Sequence, residues 1–516
     1  MQATALTLGL SGLDAHLVHV EVDSSRGPSC FHLVGLAEAS VREARVRVRA
    51  ALRDLGVDID EHVLTVSLSP ADIRKVGSSF DLAMAVGVMA ALGKVPPEGL
   101  ERTVWFGELA LSGTVRPVRG VLAALVEAKR LGIARAVVPE GNALEAAVVS
   151  GIEVLVARSM ENVLAHLRGE KPMPRPAAPS ASDCPGDTEL LPDLADVRGQ
   201  PAARRALEIA AAGAHNLLMM GPPGAGKTML ARRLPGILPP LLPDEALEIT
   251  AIHSVAGALP AGVGLLSSRP FRAPHHTASA AALAGGGVPI RPGEIALAHH
   301  GCLFLDELLE FGRHALEALR QPLEDGVVTV CRARDRAVFP ARALFVAAVN
   351  PCPCGYAGSR RCGCPPERVL AYRARLSGPL LDRIDIQIVL PPTPLDDFTR
   401  PSTEESSRDV RARVAEARAI QTDRRARGEV TARTNAGLGP RDLYRVASLD
   451  EKGRSLLATS AERLGVSARA HDKLLRLART IADLEGSTTV SSRHVAEAIQ
   501  LRLLDHTAPL TLARSA

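Results

Sequence analysis

The segment Asn216–Leu230, which reads NLLMMGPPGAGKTML, decides the fold of this chain. Its apolar opening, Asn216–Met220, predicts a buried strand, and the residues from Met229 onward have the spacing of a helix. The loop between them has the glycine pattern of a P-loop, whose backbone N–H groups turn toward phosphate oxygens at a helix N-terminus. The predicted loop residues are Gly221, Pro222, Pro223, Gly224, Ala225, Gly226, Lys227 and Thr228.

The last two residues of this loop have separate tasks. We expect Lys227 to reach the outer phosphates of a nucleotide and Thr228 to bind magnesium through its hydroxyl. The alternative is a glycine-rich turn formed by chance, which the strand before the loop and the helix after it disfavour. The segment therefore predicts a site for ATP and Mg²⁺.

Two further apolar runs end in polar residues suited to the same site. Cys302–Leu305 predicts a buried strand that ends at Asp306 and Glu307, and adjacent acids at a strand end are costly without a task. In phosphoryl transfer, Asp306 can hold magnesium while Glu307 polarises the attacking water. The alternative is a solvated acidic turn. A third run, Leu344–Val349, ends at Asn350, whose amide can orient that water or contact the terminal phosphate. Ligands of open α/β sheets bind at such carboxyl ends of strands.

The length of 516 residues exceeds what one hydrophobic core supports, so we predict a multidomain α/β protein. Residues 1–168 mix strand and helix patterns, and residues 169–190 form a proline-rich linker. Residues 191–393 alternate short apolar runs with helical patterns, as in a parallel sheet with crossover helices. Residues 394–516 have the pattern of a helical lid domain.

Bulk composition excludes several classes of protein. Apolar residues make up 46% of the chain and charged residues 23%, which is typical of globular domains, and no segment has the pattern of a membrane span. The N-terminus has no basic leader and carries Asp14 in its apolar stretch, so we expect a cytoplasmic protein. A net charge of +4 leaves nucleic-acid binding to local clusters. Aromatic residues, at 3%, are too few for a protein that holds single strands mainly by base stacking.

Three longer motifs are more restricted than the P-loop. They are RPFRAPHHT at Arg269–Thr277, GEIALAHHGCLFLDELLE at Gly293–Glu310 and SGPLLDRIDI at Ser377–Ile386. With the P-loop they resemble the magnesium-chelatase-like group of AAA+ ATPases, and the resemblance covers nearly the whole chain. It implies an AAA+ core with a helical lid and assembly of identical subunits into a ring, a hexamer.

The same resemblance assigns two arginines to the nucleotide site. Arg383 takes the place of the arginine finger, which acts on the ATP of the neighbouring subunit, and Arg469 that of the lid's sensor arginine. The alternative for Arg383 is a local ion pair with Asp382 or Asp385.

A basic hairpin is predicted between Asp325 and Pro340, with Arg332, Arg334 and Arg336 at its tip. In the family that the chain resembles, an insertion at this place faces the central pore. The three arginines can therefore contact the phosphates of single-stranded or branched DNA. A solvated hairpin tip is the alternative.

Four cysteines lie within thirteen residues, at Cys352, Cys354, Cys362 and Cys364. Four thiolates can enclose one zinc ion, although the spacing within each pair is one residue rather than the usual two. Reduced thiols or a redox pair are the alternatives.

Two pairs of adjacent histidines are candidate metal ligands, His275 with His276 and His299 with His300. Adjacent side chains point in different directions on regular structure, and no acid or cysteine stands nearby at ligand spacing. We expect a structural role or contact with a polymer in the pore.

The N-terminal part resembles the Lon-protease domain, an α+β fold of the ribosomal S5 domain 2-like type. The matching stretches are Gly77–Leu82, Gly107–Gly113 and Val137–Asn142, and Ser79 takes the place of the nucleophile. The stretch Gly120–Leu125, where that fold supplies its catalytic lysine, contains none. No base activates Ser79, so we expect the fold without peptidase activity, and the serine is explained equally well as a helix cap.

Two functions follow from these resemblances. The first is a DNA motor that uses ATP to drive branch migration during homologous recombination in natural competence. The second is a chelatase-like ATPase that remodels a protein partner for metal insertion. Typical chelatase subunits lack a Lon-like domain, so residues 1–168 favour the DNA motor.

Overall fold

The computed structural model describes residues 1–177, 191–332, 335–392, 404–464 and 468–502. These residues form a mixed α/β protein with two large β-sheets and a helical C-terminal region. Each large sheet packs its own apolar residues into a core, and the helical region shares the core of the second sheet. The predicted α/β class is confirmed, including the parallel sheet.

The first sheet belongs to the N-terminal part and has seven strands in the order β3-β4-β2-β1-β5-β8-β9. The strands of this part, including the small pair β6 and β7, are β1 (Gln2–Ser11), β2 (Asp14–Arg26), β3 (Cys30–Val34), β4 (His62–Ser69), β5 (Thr103–Trp105), β6 (Glu108–Leu109), β7 (Val115–Arg116), β8 (Arg135–Pro139) and β9 (Glu153–Ala157). Its helices are α1 (Ala39–Asp54), α2 (Asp81–Ala91), α3 (Val121–Arg130), α4 (Ala143–Ala147) and α5 (Met160–Leu167). Every residue of α2 is buried, which explains its continuous run of apolar side chains.

The second sheet has five parallel strands in the order β11-β14-β17-β10-β18. The strands of this part are β10 (Leu217–Met220), β11 (Phe271–Arg272), β12 (Gly285–Gly286), β13 (Arg291–Pro292), β14 (Cys302–Leu305), β15 (Val327–Cys331), β16 (Arg336–Pro340), β17 (Leu344–Val349) and β18 (Ile386–Val389). Its helices are α6 (Pro201–Gly213), α7 (Lys227–Ile237), α8 (Pro243–Ala256), α9 (Ala280–Ala284), α10 (Glu294–Leu297), α11 (Arg313–Ala318), α12 (Arg320–Asp325), α13 (Pro366–Arg373) and α14 (Gly378–Leu381). Because β10, β14 and β17 are neighbours and parallel, their carboxyl ends share one edge of the sheet.

The C-terminal region is helical. Its helices are α15 (Ser407–Ala426), α16 (Pro440–Val446), α17 (Glu451–Leu464), α18 (Ala468–Leu484) and α19 (Ser492–Gln500). Polar contacts fasten this region to α6, since the Gln421 amide donates to the Ala212 carbonyl at 3.0 Å and His215 lies 2.7 Å from the Thr480 hydroxyl. Inside the region, the buried Asp483 accepts hydrogen bonds from Arg424 and Arg479.

The N-terminal part contacts the second sheet's helices through α3 and α4. The hydroxyl of Ser254 on α8 donates to the buried carboxylate of Glu145 at 2.5 Å and accepts from the backbone N–H of Gly120 at 3.1 Å. Burial raises the pKa of Glu145, and its hydrogen bonds to Ser254 and Asn142 oppose that shift. These contacts join the two parts through a buried polar cluster.

The first residues of the predicted linker pack on the N-terminal sheet. Met173 is buried, the Pro174 carbonyl accepts from Val156 of β9 at 2.8 Å, and Arg175 pairs with Glu153 at 2.6 Å. The rest of that segment, from residue 178 to residue 190, lies outside the described residues. None of the helices in the described ranges combines the length and the apolar character that a membrane span requires.

Candidate functional site

The glycine-rich loop joins β10 to α7, as the sequence predicts. Gly224 has a φ of 81° and Gly226 a φ of 86°, in the left-handed region that side chains rarely adopt. These two glycines let the loop fold back so that α7 begins at Lys227. A helix N-terminus combined with backbone N–H groups is a suitable anion site.

Lys227 connects the loop to the strand end that carries Asn350. Its ammonium donates to the carbonyls of Gly221 at 2.6 Å and Pro222 at 3.1 Å, and to Asn350 Oδ1 at 3.1 Å. Burial lowers the pKa of Lys227, and the negative charges of Asp306 and Glu307 oppose this shift. The predicted amide and lysine are therefore brought together.

Thr228 and Asp306 meet across the gap between α7 and the end of β14. The Thr228 hydroxyl donates to Asp306 Oδ2 at 2.6 Å. A hydroxyl and a carboxylate oxygen at hydrogen-bonding distance are the hard oxygen ligands that Mg²⁺ prefers. These two residues fit the predicted metal pair, with the loop's phosphate site next to them.

Glu307, the next residue, has a φ of 51°, a left-handed conformation that is strained for a side chain of this kind. Its side chain is 48% exposed, and Oε2 lies 3.5 Å from His276 Nδ1. This contact between Glu307 and His276 could not be predicted, because the two residues share only their presence in restricted motifs. A carboxylate at this strand end, next to the phosphate loop, has the position of a general base.

Arg383 lies at the opposite edge of the sheet. Ile386, the first residue of β18, pairs with Leu217, the first residue of β10. Arg383 comes before β18, at the amino ends of these two strands, whereas the P-loop follows β10 at their carboxyl ends. Its guanidinium pairs with Glu324 and donates to the Pro379 carbonyl at 2.6 Å.

The alternative partners considered for Arg383 were wrong. Asp385 binds Lys473 instead, at 3.0 Å, and among the described residues Arg383 forms no ion pair with Asp382. Glu324 was missed because it lies 59 residues earlier in the chain.

Arg469 lies on the same side of the core as Arg383. It is exposed in the first turn of α18, and both arginines lower the pKa of Glu324, Arg383 through a hydrogen bond and Arg469 through its charge. Lys473, one turn further along α18, donates to the Ile384 carbonyl at 3.3 Å. Within one chain, therefore, the structure does not bring Arg383 and Arg469 to the P-loop.

The four predicted cysteines form one cluster in the loop between β17 and α13. The Sγ atom of Cys352 lies 3.3 Å from that of Cys354 and 3.8 Å from that of Cys362, and Cys354 and Cys362 are 3.7 Å apart. Cys364 joins them, and all four Sγ atoms lie within 4.8 Å of one another. A zinc–sulfur distance of about 2.3 Å places tetrahedral thiolates about 3.8 Å apart, so the cluster fits zinc.

The expectation that His299 and His300 diverge was wrong. His300 has a φ of 53°, and this left-handed turn brings Nε2 of both rings to Glu248 Oε2, at 2.9 Å for His299 and 2.8 Å for His300. A metal is nevertheless disfavoured, because His299 Nδ1 accepts from the Arg342 N–H at 3.0 Å. A neutral His299 therefore carries its proton on Nε2, and a protonated nitrogen has no lone pair with which to bind a metal ion.

The basic hairpin consists of β15 and β16, as predicted. Arg332 and Arg336 are exposed at its tip, and Arg334 lies outside the described residues. Asp335, between them, pairs with Arg74 of the N-terminal part at 3.0 Å. The described residues of the tip thus present two cations and one acid that is already paired.

The stretch Val121–Leu125, in which the sequence has no lysine, begins α3, and all five residues are buried. Four of them, all but Ala123, belong to an apolar core against which Leu247 and Ala251 of α8 pack.

Comparisons with known proteins cover most of the chain. The family model described as subunit ChlI of Mg-chelatase matches residues 20–142, that of magnesium chelatase, subunit ChlI, residues 193–397, and that of its C-terminal part residues 404–502. The chain is 41% identical over 498 residues to the competence protein ComM of Haemophilus influenzae, with 96% of each chain covered. It is 40% identical over 495 residues to the uncharacterized protein YifB of Escherichia coli, again with 96% of each covered. A shorter match, 26% identical over 165 residues, joins it to Lon protease 2 of Bacillus subtilis and covers 28% of this chain and 29% of that protein.

Proposed function

Because the chain belongs to the magnesium-chelatase-like family that includes the ComM and YifB proteins, we propose that it is a ring-shaped, ATP-driven DNA motor. Membership of this AAA+ family supports ATP hydrolysis, and the ComM relative suggests a role in competence. As a cytoplasmic homo-hexamer, the protein moves the branch point of recombining DNA during natural transformation. The observation that carries it is the meeting of Lys227, Thr228, Asp306 and Asn350 at one sheet edge.

In this site the phosphates of ATP lie on the loop from Gly221 to Thr228, with Lys227 against the outer ones. Thr228 and Asp306 would hold Mg²⁺, which would neutralise part of the phosphate charge. Glu307 takes the proton of the attacking water, and Asn350 orients that water. A base of this kind contributes about 10²- to 10⁴-fold to the rate.

The position of the two arginines supports a ring. Arg383 and Arg469 lie on the side of the core away from their own P-loop, so we assign both to the nucleotide of a neighbouring subunit. A head-to-tail interface that joins the P-loop edge of one subunit to the arginine edge of the next is heterologous, and such an interface forms a ring when the rotation between subunits closes. Hydrolysis then depends on assembly.

The four-cysteine cluster is assigned to structural zinc. It follows Asn350 directly in the chain, and Gly355 within its loop packs on Pro223 of the P-loop, where a Cβ atom would lie 2.6 Å from the proline ring. A metal that fixes this loop would also support the strand end that carries Asn350 and the phosphate loop.

DNA is assigned to the pore side of the ring, where Arg332, Arg334 and Arg336 contact phosphates. Exposure of the two described arginines supports this assignment. The N-terminal part is assigned to assembly or DNA contact rather than proteolysis. The second candidate, a chelatase-like motor that remodels a protein for metal insertion, is favoured by the family models of subunit ChlI.

ATPase stimulation separates the two candidates. The DNA motor should show faster ATP turnover with four-way and three-stranded junctions, and the stimulation should weaken as salt rises because phosphate contacts release counterions. The matched control is the Glu307→Gln variant, which should bind the same DNA without turnover. Turnover that no DNA stimulates at any salt concentration would favour the remodelling ATPase.

A further inference from the structure

We propose that His276 is a positioning residue for Glu307, holding the carboxylate in the orientation that hydrolysis requires. The inference rests on the proposed function, in which Glu307 is the base. It goes further by giving a task to one histidine of the RPFRAPHHT motif. The contact that carries it joins His276 Nδ1 to Glu307 Oε2 at 3.5 Å.

The fold places His276 beside Glu307 through neighbouring strands. β11 pairs in parallel with β14, with Phe271 opposite Cys302 and Arg272 opposite Leu303. His276 follows the end of β11 and Glu307 follows the end of β14. Both residues therefore leave the sheet at its carboxyl edge, where the phosphate loop also lies.

The adjacent histidine does not share this contact. His275 Nδ1 lies 2.9 Å from the Thr277 hydroxyl and accepts from the Thr277 N–H at 3.4 Å, which fixes its ring within its own turn. The two imidazoles lie against each other, with ring centroids 4.0 Å apart. A phenylalanine at position 275 can keep this ring contact and removes the hydrogen bonds to Thr277, so His275→Phe provides a control one residue away.

Glu307 needs such a partner. Its side chain is 48% exposed and can rotate about three bonds, so ordering it before each turnover would cost entropy. If this contact shortens to a hydrogen bond, the imidazole N–H would fix one oxygen and leave the other free to take the proton of water. The distance of 3.5 Å is long for a hydrogen bond, and catalytic contacts often tighten only when substrate is bound.

The position of His276 also connects hydrolysis to the segment between β11 and α9. Residues 273–279 carry His276, so a displacement of this segment changes the orientation of Glu307.

The test compares His276→Phe, which fills the same space without an N–H donor, with His276→Asn, which keeps one, and with His275→Phe as control. We expect His276→Phe to lower kcat by about 5- to 30-fold, equivalent to about 1 to 2 kcal/mol. KM for ATP and the affinity for a fluorescent ATP analogue should stay within about twofold, since positioning acts only in the transition state. His276→Asn should recover part of kcat, and His275→Phe should resemble the unaltered protein.

Three results would overturn the inference. They are equal turnover in His276→Phe and His275→Phe, a higher kcat in His276→Phe, and a loss of nucleotide affinity that matches the loss of kcat. Glu307→Gln separates this failure from that of the proposed function. If Glu307→Gln still hydrolyses ATP, the assigned base is wrong; if it is inactive while His276→Phe is normal, only the positioning role falls.

Discussion

Replacing Arg383 with alanine should abolish ATP turnover and leave ATP binding intact. Arg383 precedes β18, and the P-loop follows β10 at the far end of the paired strands. A paired stretch of four residues separates the two by about 13 Å along the strand, at about 3.3 Å per residue. This separation supports the proposal that Arg383 serves the nucleotide of a neighbouring subunit. An arginine finger contributes about 10³- to 10⁵-fold, so we expect a barrier about 4 to 7 kcal/mol higher.

The folded state should tolerate this change. Arg383 loses its pair with Glu324, but that carboxylate is 52% exposed, and water replaces the lost partner at little cost. A fluorescent ATP analogue should bind Arg383→Ala with unchanged affinity. A matched control is Arg454→Ala, since Arg454 is 70% exposed in the C-terminal helical region and pairs with Glu451 of its own helix at 4.0 Å.

Mixing two inactive variants tests whether the arginine acts between subunits. Arg383→Ala retains Glu307, and Glu307→Gln retains Arg383. Random assembly places an intact loop against an intact arginine at about one interface in four, so the mixture should recover up to about a quarter of normal turnover. An arginine that acts within its own chain would give no recovery, and that result would refute the argument from the sheet edges.

Three further predictions concern metal, DNA and stability. Protein purified under reducing conditions should contain about one zinc per chain by elemental analysis, and Cys362→Ser should lose it; metal-free protein with four intact thiols would contradict the assignment. Arg336→Ala should lower the slope of log affinity against log salt by about one for junction DNA. The control Arg454→Ala changes a lid residue that is 70% exposed and should leave the slope unchanged. Equal slopes for the two variants would remove the hairpin from the DNA site. Asp483→Ala leaves the buried guanidinium groups of Arg424 and Arg479 without their shared carboxylate. The free energy of unfolding of the lid region, measured with a chemical denaturant, should fall by about 3 to 5 kcal/mol. A change within about 0.5 kcal/mol would show that the cluster is not stabilising.

The nucleotide loop and its neighbouring strands could be predicted because their signals are local. The strand predicted at Asn216–Met220 is observed as Leu217–Met220, and the runs before Asp306 and Asn350 have the predicted bounds. Apolar runs that end in glycine or in acids determine these elements without reference to the rest of the chain. Parallel strands then bring their polar ends to one edge, so Asp306 could be expected near Thr228.

Contacts between distant parts of the chain could not be predicted in this way. Glu324 and Arg383 are 59 residues apart, and Glu145 and Ser254 are 109 residues apart. Such pairs depend on how helices pack, which periodicity does not specify. The meeting of both rings of His299 and His300 on one carboxylate depends on a single left-handed φ that the residue type does not indicate.

The most direct test of the motor is ATP-driven movement of a branch point. A three-stranded junction with a labelled strand should be resolved by the assembled protein with ATP and Mg²⁺, at a rate that follows ATP turnover. Glu307→Gln should bind the junction and leave the branch point where it is. If the protein hydrolyses ATP but the labelled strand is released no faster than with Glu307→Gln, the protein is not a branch-migration motor.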